Sequence, residues 1–146
     1  MPTITPFLWF DAPLDAPIAW YRSIFPSVRV LAQSPMTATL EIEGQRLILL
    51  NGGPKYRFNE AFSLFIDCED QAEVDYYWER LTANGGEESM CGWLKDRYGL
   101  SWQVIPKALG RYLGDPDRAK AERVAQAMLR MRKIDVAALD RAAAAR

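Results

Sequence analysis

The chain has 146 residues, 49% hydrophobic and 25% charged, with 18 Lys+Arg, 19 Asp+Glu, two Cys and no His. Such a length fits one domain that buries roughly 70% of its unfolded surface, and a formal net charge of −1 supplies no field to gather nucleic acid or an anionic membrane. Without histidine there is no Ser-His-Asp or Cys-His pair, no imidazole acid or base, and no His-bearing zinc or iron site.

Two cysteines, Cys68 and Cys91, are too few for a disulfide framework, and with the rest of the composition they point to a reducing cytoplasm. The N-terminal stretch MPTITPFLWFDAP has no basic start and is interrupted by Pro6, so it reads as a strand and not as a signal peptide. No run reaches the ~20 apolar residues of a membrane-crossing helix.

In chain order, ITPFLWF (4–10) reads as a strand, and Ile18, Ala19, Tyr21, Arg22 and Phe25 keep helical spacing from Asp15 until Pro26 stops the run. Three further strands, VRVLAQ, TATLEIE and RLILLN, are separated by Ser34-Pro35 and Glu43-Gly44. The pattern then recurs. AFSLFIDC is a strand, and QAEVDYYWERLTAN is a helix with Asp70 and Glu73 as a capping box and Gly85-Gly86 at its end. ESMCGWLKD and LSWQVIP read as strands broken at Tyr98-Gly99. After Pro106 the chain turns helical, with a cap at Asp115-Pro116, a helix bearing Val124, Met128, Leu129 and Met131, and a last Ala-rich helix capped by Asp135. This tail is expected to pack as a helical hairpin on the sheet.

The recurrence keeps register over a shift of 56 residues. Leu8, Trp9, Phe10 and Asp11 fall on Leu64, Phe65, Ile66 and Asp67, and Ala16, Trp20, Tyr21 and Phe25 fall on Ala72, Tyr76, Tyr77 and Leu81. The chain therefore reads as an α+β protein of two βαβββ modules, about 4–53 and 61–107, forming a curved mixed sheet within a single domain 1–146, with a helical tail from about 108.

Paired modules of this kind, together with the strings ITPFLWFD, WYRSIFP, LNGGPKYRFNEA, VDYYWERL, CGWLKDRYGLSWQV and MLRMRKIDVAAL, resemble the vicinal-oxygen-chelate superfamily of glyoxalase I, bleomycin-resistance proteins and extradiol dioxygenases. The resemblance runs from Ile4 to about Leu139. It is strongest to the branch labelled 3-demethylubiquinone-9 3-methyltransferase-like, which lies close to a phosphonate-operon protein. Metal-dependent members of the superfamily place one ligand on the first and last strand of each module. By resemblance these positions are Thr5, Leu47, Ala61 and Gln103, with Asp96-x-x-Gly99-x-x-x-Gln103 standing for the D-x-x-G-x-x-x-E pattern of those members. Thr, Leu and Ala offer no useful ligand and a Gln amide is weak, so the resemblance implies a chelate fold without its metal and without another cofactor.

Strand alternation is expected to point Phe7, Trp9, Leu49, Asn51, Ser63, Phe65, Ser101 and Ile105 the same way as those four positions. Phe7, Trp9, Asn51, Ser63, Phe65 and Gln103 are thus candidate ligand-binding residues, an aromatic hollow with a few polar groups. A filled core explains the same residues equally well, and Gln103 is as readily a buried amide serving the backbone. Asn51-Gly52-Gly53-Pro54 is a strand exit whose N–H groups offer a contact for an anion, although a plain turn accounts for it better. Cys91 is a reactive-thiol candidate with Lys95 as its only local cation, against the commoner fate of a small buried hydrophobe. Asp11 and Asp67 recur after equivalent strands and read as turn or capping residues. Lys55 and Arg57, interleaved with Tyr56 and Phe58, form a small cationic rim or a solvated loop.

Three functions compete. One is metal-free binding of an unknown small molecule by a homodimer, as the drug-sequestering members of the superfamily do. Another is a metal-free enzyme of the lyase, isomerase or transferase type. The third is a purely structural homodimer. The methyltransferase of the branch label lacks the glycine-rich strand-to-helix turn of doubly wound adenosyl-methionine enzymes.

Overall fold

The computed structural model describes residues 1–145 and divides the chain into two compact units that meet between Phe58 and Asn59. In the first, β1 (Phe7–Phe10), α1 (Asp15–Ile24), β2 (Val28–Gln33), β3 (Thr37–Ile42) and β4 (Gln45–Asn51) build a sheet in the order β1-β4-β3-β2. β1 runs parallel to β4 and the other pairs are antiparallel. β1 starts later than Ile4 because Pro6 has no N–H, although its carbonyl still accepts from Ile48 N at 3.0 Å.

The second unit repeats the plan with β5 (Ser63–Cys68), α2 (Gln71–Thr82), β6 (Glu87–Glu88), β7 (Trp93–Lys95) and β8 (Ser101–Pro106), in the order β5-β8-β7-β6. The expected strand 88–96 is two short strands, because Cys91 (φ 60°) and Gly92 (φ 83°) turn the chain between them. Asp70 caps α2 through Glu73 N at 3.0 Å, and Glu73 reaches back to Glu69 N at 2.6 Å, one residue before the expected partner. α1 has no side-chain cap, and Asp67 pairs with Lys107 Nζ at 3.0 Å. The matching positions Asp11 and Asp67 therefore are not a duplicated helix cap.

Each sheet buries one face beneath its own helix. Leu8, Phe10, Leu40, Leu47 and Leu49 are buried on one side of the first, where Tyr21 of α1 meets Phe10 edge-on at 6.4 Å. In the second unit Trp102, Val104 and Leu94 are buried together with Val74, Trp78 and Leu81 of α2. The tail forms three helices, α3 (Lys107–Leu113), α4 (Arg118–Met128) and α5 (Val136–Ala144). Ile105, Leu109, Val124, Ile134 and Leu139 make one cluster at its centre, with Met128 and Met131 packed against it and Leu129 exposed. Asp117, not Asp115, caps α4 through Lys120 N, because Asp115 is spent on the N–H of Asp117; Asp135 caps α5 as expected.

Gln71 ties the tail to the module, donating from Nε2 to Ile134 O (3.0 Å) and accepting from Val136 N (2.7 Å). Cys91 N and Gly92 N donate to Met131 O and Arg132 O, each at 2.8 Å. The hairpin expected over the sheet is therefore a three-helix extension whose link to the module runs through the turn carrying Cys91.

The turn between β7 and β8 depends on one carboxylate. Asp96 is 2% exposed and accepts from Tyr98 N (2.8 Å), Leu100 N (3.2 Å) and the indole Nε1 of Trp102 (2.9 Å). Asp96→Ala strands three donors, two of them on buried residues. It should cost on the order of 3 kcal/mol or more in urea unfolding, and a loss within about 1 kcal/mol would contradict this role.

Cys68 is buried on the helix-covered face of β5. Its thiol is pushed up to about 12, first by burial and then by the carboxylates of Glu73 and Asp67. The folded chain keeps this proton beyond the ordinary value of 9.0, so the associated stability is full below pH 9.0 and is lost as pH rises towards about 12. N-ethylmaleimide at pH 8 should accordingly leave Cys68 unmodified in the native chain and label it in denaturant, as read by peptide mass mapping.

Candidate functional site

Because a helix closes one face of each sheet, the other face is where side chains can meet a ligand. In the first unit, parallel pairing sets Phe7 beside Ile48 and Trp9 beside Leu50, so these four share the open face. Leu47, Leu49 and Asn51 lie on the opposite face with Leu8 and Phe10, and Leu47 and Leu49 are buried there. The expectation that Leu47, Leu49 and Asn51 point the same way as Trp9 is thus corrected. Asn51 lines a separate cleft of about 510 Å³ with Leu14, Asp15, Gln33 and Pro35, where Gln33 Nε2 donates to Asp15 Oδ1 at 2.7 Å.

The reason is register. In the second unit Phe65 pairs with Gln103, whereas its counterpart Trp9 pairs with Leu50, three residues beyond Leu47. The 56-residue shift holds for strand and helix positions but not for strand pairing. An odd slip exchanges the faces of a strand. The four positions that the superfamily would use for metal become Thr5, Leu50, Ala61 and Gln103, and Leu is no better a ligand at 50 than at 47. No group of three or more Cys, Asp or Glu side chains among the described residues is placed to hold a metal ion. These residues do not fit a chelate centre.

Trp9 is partly covered by its own loop. Its Nε1 donates to Gly53 O at 2.8 Å, Tyr56 meets the ring edge-on at 4.9 Å, and a Cβ on Gly52 would lie 2.3 Å from the indole. The two glycines after β4 serve this packing: Gly52 makes room for the ring, and Gly53 takes a φ of 84°. Lys55 Nζ lies over the Tyr56 ring at 5.3 Å. Phe7 is 56% exposed.

The open face of the second unit carries two transverse rows. Phe65, Gln103 and Trp93 form one across β5, β8 and β7; Ser63, Ser101, Lys95 and Glu87 form the next, reaching β6. Gln103 Nε2 donates to Ser63 Oγ at 3.0 Å, which fixes the amide and directs its carbonyl oxygen away from that bond. Phe65 is 57% exposed. Ile105, which shares this face, is covered by Leu109, Ile134 and other residues of the tail cluster, so the tail closes one end of the face.

At the other row a cavity of about 250 Å³ is lined by Glu60, Glu87, Glu88, Trp93, Lys95 and Ser101, among others. Lys95 is paired with Glu60, and that hydrogen bond raises the ammonium pKa and lowers that of the carboxyl. Ser101 is 1% exposed, and its Oγ has no hydrogen-bond partner among the described residues. A buried hydroxyl left in this state costs on the order of 1–3 kcal/mol.

Of the ligand-binding candidates, the structure brings together Ser63, Phe65 and Gln103 in one unit, and Phe7 and Trp9 in the other, but separates Asn51 from the latter pair. Sequence reasoning passed over Trp93 and Glu60. The alternation of Trp93 and Lys95 carried the signal for the first, while Glu60 lies in a loop with no periodicity. Cys91 stands on a left-handed turn outside any strand, and Lys95, its proposed partner, is engaged by Glu60.

The model of a family described as 3-demethylubiquinone-9 3-methyltransferase matches residues 2–105. No curated protein matches the chain. Among solved structures, a Bacillus cereus PhnB protein that carries the same methyltransferase description is 25% identical, with a TM-score of 0.63 over 72% of this chain and 99% of that one. Protein PA1353 from Pseudomonas aeruginosa is 20% identical, with a TM-score of 0.58 over 73% and 98%. The fosfomycin resistance protein FosX from Listeria monocytogenes, solved with Mn(II) and sulfate, is 17% identical, with a TM-score of 0.52 over 70% and 87%. The last two show the fold alone. With two βαβββ units and a family match over most of its length, the chain belongs to the 3-demethylubiquinone-9 3-methyltransferase family, within the glyoxalase-like vicinal-oxygen-chelate superfamily.

Proposed function

We propose that this chain is a metal-independent small-molecule-binding protein whose ligand lies on the open face of the second unit. The observation that carries the reading is the row Phe65, Gln103 and Trp93: two aromatic side chains flanking an amide whose orientation is fixed by Ser63. Aromatic surface supplies most of the affinity in such sites, and one positioned amide supplies orientation. Metal independence is supported by the donor set, since Thr5, Leu50, Ala61 and Gln103 include no carboxylate, thiolate or imidazole.

A metal-free enzyme is the alternative, for which Gln103 and Ser63 would be the polar groups nearest a substrate. The methyltransferase reading of the family name finds little support in the strand-to-helix turns. Asp11–Leu14 and Glu69–Asp70 contain no glycine and place carboxylates where a doubly wound methyltransferase opens a backbone cradle.

A homodimer is the assembly we infer, resting on the outer edge of β2, which ends the first sheet with Leu31 and Met36 exposed near it. Equilibrium sedimentation should return twice the chain mass, and a monomer mass would overturn this assembly.

Titration with a panel of hydrophobic and quinone-like compounds should change tryptophan fluorescence, with the response lost in Trp93→Phe. Gln103→Leu should weaken binding about fivefold or more by removing the orienting amide. Silence across the panel, or Gln103→Leu binding as the parent does, would sink the ligand-site reading. Protein purified without chelator should carry substoichiometric divalent metal by plasma mass spectrometry, and a full equivalent would refute metal independence.

A further inference from the structure

Gln103 uses only part of its hydrogen-bonding capacity. The bond from its Nε2 to Ser63 Oγ is the one hydrogen bond of either side chain among the described residues. A carboxamide carries two N–H donors and a carbonyl oxygen with two lone pairs. Ser63 takes one donor, which leaves Gln103 one N–H and its carbonyl oxygen in a single plane. Turning the amide over exchanges the atom that meets Ser63 and still leaves a donor and an acceptor. These groups are within reach of a ligand. Gln103 is half-buried, and its carbonyl oxygen is not among the buried polar atoms left without a partner, so it opens to solvent.

The flanking rings are free as well. Neither Phe65 nor Trp93 packs against another aromatic ring among the described residues. They stand on β5 and β7, one on each side of β8, so their Cα atoms lie about 10 Å apart. One planar group between them, with contacts of about 3.5–4 Å on each side, fills that width. The charges of the neighbouring rows are already engaged, Lys95 with Glu60 and Asp67 with Lys107. A charged ligand over Gln103 would therefore lose its hydration without meeting a counter-charge.

We infer that this row selects a neutral planar heterocycle with a lactam edge, an N–H beside a C=O. The ligand N–H donates to Gln103 Oε1 and its carbonyl accepts from Gln103 Nε2, with Phe65 and Trp93 against its faces. The inference rests on the reading of this face as a ligand site and adds the chemical class that the face takes.

The experiment titrates the full chain with 2-quinolone by calorimetry. Coumarin, in which a ring oxygen replaces the N–H, and N-methyl-2-quinolone are controls of similar shape that lack the donor. 2-Quinolone should bind about fivefold or more tightly than either control, because both leave Gln103 Oε1 desolvated and unpaired. Phe65→Ala, a change at an exposed ring, should weaken all three compounds alike.

Gln103→Leu should bring the three affinities together. Gln103→Met, which keeps the length of the side chain, supplies the same readout if the leucine variant fails to fold. A control that binds as tightly as 2-quinolone, a preference that persists without the amide, or no binding of 2-quinolone would overturn the inference. If the hydrophobic and quinone-like panel still responds in a Gln103-dependent way, the ligand-site reading survives that failure; if the panel is silent as well, both fall.

Discussion

The constraint on which the rest of this structure depends is the two-residue period of its strands. Each four-stranded sheet buries one row of side chains against its own helix, Leu8 and Phe10 in the first unit, Trp102 and Val104 in the second. That burial supplies the hydrophobic stabilisation, at roughly 25 cal/mol per Å² of apolar surface removed from water. Every alternate residue is thereby committed to the other face, whatever its chemistry. Phe65, Gln103, Trp93 and Ser101 are brought to one surface because Leu64, Trp102 and Leu94 turn the other way.

Two buried polar residues of the second unit, five positions apart, show how differently such groups can be treated. Asp96 has three donors aimed at its two oxygens, and these bonds define the turn that starts β8 at the right residue. The Ser101 Oγ, at the start of that strand, has no partner among the described residues. A fold that satisfies a buried carboxylate three times over can accommodate a serine or omit it. The D-x-x-G half of the superfamily pattern thus keeps its structural work through Asp96 and Gly99, whose φ is 84°, while the final position holds an amide that bonds to Ser63.

The repeat was legible in the sequence because helix and strand aromatics recur at a fixed distance, and both helices begin at residues related by that distance, Asp15 and Gln71. What the repeat could not convey is pairing. β4 and β8 cover equivalent residues, yet Trp9 faces Leu50 and Phe65 faces Gln103. The displacement is odd, so Leu47, Leu49 and Asn51 exchange faces. The register of a strand is fixed by which of its faces is covered, and in the nearly continuous apolar run RLILLN both parities look alike. The alternating strand TATLEI left no such ambiguity, and its buried residues are the expected ones.

The sequence by itself determined the fold class, the two-module plan, the caps at Asp70 and Asp135, and the poverty of metal donors. All of these follow from residue type and local spacing, which the chain carries without reference to its distant parts. Tertiary structure alone decided which face Asn51 and Leu47 take, that Gly52 is small to admit Trp9, that Lys95 is held by Glu60 and withheld from Cys91, and that Ser101 is buried. Each of these depends on contacts between segments far apart in the chain or on solvent exclusion around a strand. Those quantities exist only once the sheets have formed and their helices have closed one face.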